Sequence, residues 1–260
     1  MMWRLGVIGS PIEHSLSPTL HERGLELAGL AGTSQRHEMD RENANEVRTL
    51  MTSQFDALSV TMPLKDLVGS SCDVLDPVST RTRSVNSLLM REGLLYGAST
   101  DGAGLLDALK AQFDFVTENS HVMILGAGGA AAAIVDALVG AGATSVVVRA
   151  RNPDRVAPIA ARYSKVVNPV VTPPAIDLIV NTVPVTGRAT GLDVERGVDE
   201  HTIAIDVTYE PRMSTWREGY ERHGCPSDNG LGMLAYQAAR QMNWWWDCAI
   251  DGAELLEALR

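Results

Sequence analysis

Cysteine is scarce in this chain of 260 residues. Cys72, Cys225 and Cys248 are odd in number and far apart, which argues against a disulfide framework or a zinc site and for reduced thiols in the cytoplasm. Long apolar runs are lacking too. The longest candidate, residues 122–138, is broken by Gly126, Gly128, Gly129 and Asp136, so nothing reaches the ~18 apolar residues of a membrane helix. The opening Met1-Met2-Trp3-Arg4-Leu5-Gly6 has no charged start followed by a long apolar core, so no signal peptide is expected. Positive charge is in deficit, with 22 basic against 32 acidic residues and a formal net charge of -10. That balance speaks against nucleic acid or an anionic membrane as a partner and leaves room for one local basic pocket.

What is present suits a globular enzyme. Hydrophobic residues make up 45% and charged residues 21%. The length predicts one large domain or two small ones. Residues 5–9 read as a buried strand. A helical pattern starts at Ser17-Pro18 and runs through Leu20, Leu25, Leu27 and Leu30 to about Gly32, with Ser17 as its cap. Residues 41–53 read as an exposed helix and 57–61 as a strand closed by Pro63. Residues 87–90 and 94–96 form a hairpin around Glu92-Gly93. A helix over 104–112 leads to a strand at 121–125, a helix from Ala130 to about Gly140, and strands at 145–149, 178–181 and 202–206. Helices over 230–246, capped by Asp228-Asn229, and 252–259 end the chain. Strands alternating with helices mean βαβ units and a mainly parallel sheet. The chain reads as two α/β units, with the last helices returning to the first.

Gly126-Ala127-Gly128-Gly129-Ala130-Ala131 follows a strand and opens a helix, the context of a dinucleotide fingerprint. Gly126 permits the tight turn, Gly128 lets the backbone approach a pyrophosphate, and Ala131 allows close helix–strand packing. The helix N-terminus offers free N–H groups to the phosphates. The alternative is a glycine-rich turn without a ligand. At the end of the next strand, NAD would call for an acidic residue. Arg149, Arg151 and Arg155 stand there instead, which favours the 2′-phosphate of NADP over a merely solvated loop.

Single residues of the first unit stay ambiguous. Ser15 and Ser17 could bind a carboxylate or polyol, but Ser17 also suits a cap. Lys65 beyond a proline turn could be surface, Asp101 a helix cap and Asn86 a turn residue. Spacing alone identifies no catalytic pair.

Together these stretches resemble the shikimate dehydrogenase family. The resemblance runs through Gly9-Ser10-Pro11-Ile12-Glu13-His14-Ser15-Leu16-Ser17-Pro18, residues 59–65, Val85-Asn86 and Thr100-Asp101-Gly102. It continues through the glycine loop, Asn181-Thr182, Asp206-Val207-Thr208-Tyr209, residues 229–234 and Gln237-Ala238-Ala239, in family order over almost the whole chain.

The resemblance implies an α/β substrate-binding domain over 1–103 plus 235–260 and an NADP-binding Rossmann domain over 104–234, with the active site in a cleft between them. It implies NADPH-dependent, reversible reduction of 3-dehydroshikimate to shikimate, in the pathway to chorismate and the aromatic amino acids. Ser15 and Ser17 would hold the carboxylate. Thr61, Asn86, Asp101 and Gln237 would hold ring hydroxyls, with Tyr209 near the substrate. Lys65 matches the catalytic lysine and Asp101 its partner. Gly126, Ala127, Gly128, Gly129, Ala130, Ala150, Arg151, Asn152, Arg155, Val207 and Gly230 would line NADP(H); no metal is implied. This chain departs at Ser59 and Ser99, where many members have Asn, and at Ala150, which takes the place of the first Asn of a cofactor motif. The adjacent Trp244, Trp245 and Trp246 suit core packing or a domain contact. A quinate/shikimate dehydrogenase of broader range and a catalytically silent NADP-binding module are the alternatives. A monomer or homodimer is expected.

Overall fold

The computed structural model describes residues 2–164, 166–167, 173–183 and 194–260. Its contacts divide the chain into Met1–Leu105 with Leu234–Arg260, and Leu106–Met233.

In the first unit β1 (Met2–Gly9) leads through α1 (Ser17–Ala28) to β2 (Ala31–Glu38), then α2 (Val47–Gln54) and β3 (Ala57–Val60). After these come β4 (Val74–Leu75), α3 (Pro77–Thr82), β5 (Ser87–Arg91), β6 (Leu94–Ala98) and α4, which spans Asp101–Phe113. The sheet order is β2-β1-β3-β5-β6-β4. β2, β1 and β3 run parallel, and β5 is antiparallel to both β3 and β6. Phe55, Leu58, Leu64, Leu88 and Leu95 are fully buried in the core on one face. Each contributes about 1.5–3 kcal/mol by leaving water.

The second unit holds β7 (His121–Leu125), α5 (Gly129–Gly140), β8 (Ser145–Arg149), α6 (Pro153–Arg162), β9 (Leu178–Asn181), β10 (Ile203–Asp206), α7 (Thr215–Arg222) and β11 (Ser227–Asp228). Its sheet, β11-β10-β9-β7-β8, is parallel throughout. Met123, Val147, Ile179, Ala204, Trp216 and Tyr220 pack on one side of it. Helix α8 (Leu231–Trp246) opens in this unit; from Leu234 onward it belongs to the first, as does α9 (Gly252–Glu257).

Several expected elements differ. The first helix stops at Ala28, with Gly29 left-handed at φ 65° as its terminator, and Leu30 lies outside it. The eight-residue strand β2 follows, unannounced by the sequence because its Ala-Gly-Thr-Ser-Gln-Arg-His-Glu run has no apolar alternation. Ser17 does not cap α1: Leu16 holds that place, and Ser17 is the first helical residue. The segment 41–53 is less exposed than expected, since α2 buries Val47, Leu50 and Met51. Helix α4 begins at Asp101, three residues before the expected start. Short β4 and β11, and helices α3, α6 and α7, went unread. The hairpin lies where Glu92-Gly93 placed it, because both residues take positive φ, 53° and 77°, as a tight two-residue turn requires.

Trp245 is buried, edge-on to His21 at 5.3 Å between ring centroids. Trp246 meets Trp3 in the same manner at 6.0 Å. These two tryptophans pack within the first unit.

Candidate active site

The first sheet carries its chemistry on one edge. β1 and β3 both end there, with Ile8 beside Val60. β5 starts there and β6 ends there, because Ser87 lies opposite both Ser59 and Ala98. The ladder extends past the strands through Thr61 N–H to the Ile8 carbonyl at 2.9 Å and Val60 N–H to the Asn86 carbonyl at 2.8 Å. Four connections, holding Ser15, Thr61 to Lys65, Asn86 and Asp101, therefore gather at one end of these strands, beside the carboxyl ends of the parallel pair β1 and β3, where ligands of open α/β sheets bind.

Lys65 Nζ donates to Asp101 Oδ2 at 2.7 Å. The Asp101 side chain is 2% exposed and that of Lys65 19%. The pair is shielded but open on the ammonium side. The Lys65 carbonyl accepts from Val85 N–H at 2.8 Å, which ties the lysine to the stretch leading into Asn86. The Asn86 amide nitrogen faces Thr100 Oγ1, Asp101 Oδ1 and Gln237 Oε1, each at 2.9 Å. Its Oδ1 accepts from Thr100 N–H at 2.8 Å. Thr100 Oγ1 in turn donates to the Gln237 carbonyl at 3.0 Å. Lys65, Asn86, Asp101 and Gln237 thus form one connected cluster. Asp101 is neither a cap standing alone nor a surface acid, and Asn86 is buried rather than a turn residue. Thr100, not among the expected site residues, is part of this cluster; its place beside Asp101 in the sequence is the one signal for it.

The hydroxyls of Ser15 and Ser17 lie 3.3 Å apart, and Ser15 Oγ accepts from Ser17 N–H at 3.3 Å. Since Ser17 caps nothing, its hydroxyl is not engaged by the helix start. Ser59 is committed inward. Gln241 Nε2 donates to the Asn86 carbonyl at 2.9 Å, so its Oε1 faces Ser59 and accepts that hydroxyl at 2.7 Å. Ser59 Oγ is then left to accept from His21 Nε2 at 2.8 Å, and His21 Nδ1 accepts from Ser34 Oγ at 2.8 Å. Burial pushes His21 down to about 3, so it stays neutral in this chain of bonds. Ser99 Oγ is buried with no hydrogen-bond partner among the described residues. The thiols offer no nucleophile. All three are unpaired, and burial pushes Cys72 up to about 11 and raises Cys225 and Cys248.

In the second unit the glycine turn sits between β7 and α5. Gly126 has φ 114°, and a Cβ there would lie 2.1 Å from Thr182 Oγ1, so the turn itself demands glycine. Gly128 is different. A Cβ on it would meet nothing within 4 Å among the described residues, so none of them explains the glycine, and its open side suits a ligand's close approach. Thr182 N–H and Oγ1 both donate to the Leu125 carbonyl at 2.8 Å, which joins the ends of β7 and β9 at the point where the sheet order reverses. Ala127, Gly129 and Ala130 complete the turn around the α5 N-terminus.

Of the three arginines, Arg149 is committed: its guanidinium pairs with Glu195. Arg151 and Arg155 are exposed. Asn152, two residues beyond Ala150, caps α6 by accepting from Asp154 N–H at 2.9 Å. The arginine-rich stretch is therefore a strand end running into a capped helix rather than a loop. Gly230 abuts Val207, where a Cβ would lie 2.0 Å from the Val207 carbonyl oxygen. Tyr209 is half-buried two residues beyond Val207. These donors, the open turn and the two exposed guanidinium groups fit a phosphorylated dinucleotide.

The family descriptions that match are the shikimate dehydrogenase substrate binding domain over residues 7–88 and shikimate / quinate 5-dehydrogenase over residues 108–190. A protein of an Exiguobacterium species named shikimate dehydrogenase (NADP(+)) is 34% identical over 98% of each chain. The crystal structure of shikimate 5-dehydrogenase from Thermus thermophilus in complex with NADP(H) and shikimate has a TM-score of 0.88 at 30% identity, covering 99% of this chain and 98% of that one. A Listeria monocytogenes shikimate 5-dehydrogenase in complex with shikimate and NAD has a TM-score of 0.84 at 25% identity, covering 99% and 96%. Likeness of sequence and of fold thus extends over nearly the full length, and the chain belongs to the shikimate dehydrogenase family.

Proposed function

We propose that this chain catalyses the NADPH-dependent, reversible reduction of 3-dehydroshikimate to shikimate. The observation that carries the reading is the Lys65–Asp101 pair, held in one cluster with Asn86 and Gln237 at one end of the strands of the first sheet. Residues 1–103 with 235–260 hold the substrate in this reading, and 104–234 hold the cofactor.

The residues divide the work by chemistry. Ser15 and Ser17 donate hydroxyl hydrogens to the substrate carboxylate. Asn86 and Gln237 offer both donors and acceptors, as a polyol requires. Thr61 adds a hydroxyl, and Tyr209 would lie near the substrate. Reducing a ketone builds negative charge on its oxygen, which needs a proton donor in place beforehand. Lys65, as an ammonium, donates that proton; in the oxidation direction the neutral amine takes it back from the hydroxyl. Asp101 orients Lys65 through Oδ2 and accepts from a ring hydroxyl. The bound nicotinamide supplies the hydride. Gly126, Ala127, Gly128, Gly129 and Ala130 would hold the pyrophosphate. Arg151 and Arg155, flanked by Ala150 and Asn152, would hold the 2′-phosphate. Val207 and Gly230 would line the nicotinamide end.

A quinate/shikimate dehydrogenase of broader range is the second reading. Ala150, with no polar side chain at the cofactor motif, favours it. A silent NADP-binding module fits less well, because such a module has no use for the buried Lys65–Asp101 pair. Among the described residues no helix is long and apolar enough to cross a membrane. The unpaired cysteines support a cytoplasmic location, and the enzyme acts as a monomer or homodimer.

The test is turnover of the purified protein on shikimate and on quinate, each with NADP+ and NAD+. Turnover confined to shikimate with NADP+ supports the first reading. Comparable quinate turnover, or equal use of NAD+, supports the second. Cofactor binding with no turnover of either acid supports the silent module.

A further inference from the structure

Strand β2 is polar from Thr33 onward, and alternate residues share a task. Ser34 Oγ meets His21 at 2.8 Å. Arg36 donates from Nε and Nη2 to the Ser15 carbonyl at 2.9 and 2.6 Å. Glu38 Oε1 accepts from Ser10 Oγ at 3.0 Å. Residues two apart on a strand share a face, so this face of β2 is stitched to the connection between β1 and α1 and to α1 itself. The central stitch lands on Ser15. That residue is held at every polar group: its N–H donates to the Ile12 carbonyl at 3.0 Å, its hydroxyl accepts from Ser17 N–H at 3.3 Å, and its carbonyl takes two bonds from Arg36.

We infer that Arg36 is a positioning and specificity residue for the anionic group of the substrate. Two N–H donors of a planar guanidinium on one carbonyl fix the orientation of that peptide better than a single bond does. The peptide carries the Ser15 hydroxyl, so Arg36 sets the direction in which the Ser15 and Ser17 hydroxyls converge. The charge adds a second effect. Two neutral hydroxyls do not balance a carboxylate, and the chain as a whole repels one at net charge -10. Glu38, on the same face, and Glu13, exposed nearby in sequence, add to that repulsion. No carboxylate pairs with Arg36 among the described residues, so its positive charge remains to favour an anion beside Ser15. The inference rests on reading Ser15 and Ser17 as the carboxylate-binding hydroxyls.

The test is steady-state kinetics of wild type, Arg36→Ala, Arg36→Lys, Ser15→Ala and the Arg36→Ala/Ser15→Ala double variant, on shikimate and on its neutral methyl ester, with NADP+. Arg36→Ala is expected to raise KM for shikimate about 10-fold, the size of a lost charged contact, with kcat and the KM for NADP+ within about twofold. The ester should feel the change by less than about threefold, and Arg36→Lys should recover part of the loss on the acid. In the Ser15→Ala background the Arg36→Ala effect should shrink, because the two act as a unit. An unchanged KM in Arg36→Ala beside a raised KM in Ser15→Ala overturns the inference and leaves the serine reading standing. Equal losses on acid and ester, or full additivity, reduce Arg36 to a scaffold residue and also overturn it. An unchanged KM in Ser15→Ala, or no turnover of shikimate by wild type, removes the reading beneath it. Should Arg36→Ala not fold, Arg36→Gln carries the same readouts.

Discussion

Asp101 divides its carboxylate: Oδ2 takes the Lys65 ammonium at 2.7 Å, and Oδ1 takes the Asn86 amide at 2.9 Å. The acid at the start of α4 thus links Lys65 to Asn86, the residue that leads into β5. Removing either partner should have a different signature. Lys65→Ala is expected to lower kcat by about 100- to 10,000-fold, the worth of a positioned acid–base group, with the KM for shikimate changed far less. Asp101→Asn keeps a hydrogen-bonding group and should lower kcat less. Asp101→Ala leaves Lys65 and Asn86 short of a buried partner and should also cost about 1–3 kcal/mol of stability. Kinetics and urea denaturation of the three variants check the ordering. Equal kcat in Lys65→Ala and wild type contradicts it.

The two glycines of the turn separate folding from binding. Gly126→Ala forces a Cβ against Thr182 at a φ that side chains rarely adopt, and should destabilise the protein by about 1–3 kcal/mol. Gly128→Ala meets open space at a φ of -89°. It should leave the melting temperature unchanged and weaken NADPH binding about 10-fold or more by blocking the approach of the phosphates. Thermal melts with and without NADPH distinguish the two. A Gly128→Ala variant that binds NADPH like wild type removes the turn from the cofactor site.

Cofactor choice should follow the exposed guanidinium groups. Arg151→Ala is expected to raise the KM for NADPH about 10-fold, with NADH little affected, because only NADPH has the 2′-phosphate. Arg155→Ala should act in the same direction. Arg149→Ala should change stability instead, since that side chain pairs with Glu195. Parallel NADPH and NADH kinetics test this, and equal losses with both cofactors contradict it.

His21 ties stability to pH. Its folded value is pushed down to about 3 by burial, against about 6.5 in an unfolded chain. As pH falls through about 6.5 the unfolded chain takes up a proton that the folded chain refuses. The contribution of neutral His21 is therefore present above about 6.5 and is lost progressively down to about 3, at no more than about 1.4 kcal/mol per pH unit. The difference in stability between wild type and His21→Gln, followed by urea denaturation from about pH 7 to about pH 4, should narrow as pH falls. A constant difference contradicts a buried neutral imidazole.

Legibility in the sequence followed the physics of each segment. β7, α5, β8 and β9 announce themselves because buried parallel strands are apolar runs and the glycine turn marks the helix start. β2 has no apolar alternation to read because its side-chain contacts are the hydrogen bonds that Ser34, Arg36 and Glu38 make with His21, Ser15 and Ser10, not apolar packing. α6 carried a readable start in Asn152-Pro153, but the arginines around it invited a loop. Lys65, Asp101, Asn86 and Gln237 were each ambiguous alone, since a lysine, a capping acid and two amides have commonplace uses. Only the pairing of β3, β5 and β6, with α8 packed beside them, brings them together from positions as far apart as 65 and 237. Ser59 resisted a local reading for the same reason: its partners, His21 and Gln241, come from helices at opposite ends of the chain.

Lys65 is proposed to serve the reduction of 3-dehydroshikimate by NADPH. The most direct measurement is NADPH oxidation on adding 3-dehydroshikimate to purified wild type and to Lys65→Ala, both saturated with cofactor. Wild type should turn over and the variant should lose at least about 100-fold, with NADPH binding preserved. Rapid turnover by Lys65→Ala, or none by a wild type that binds NADPH, would contradict it.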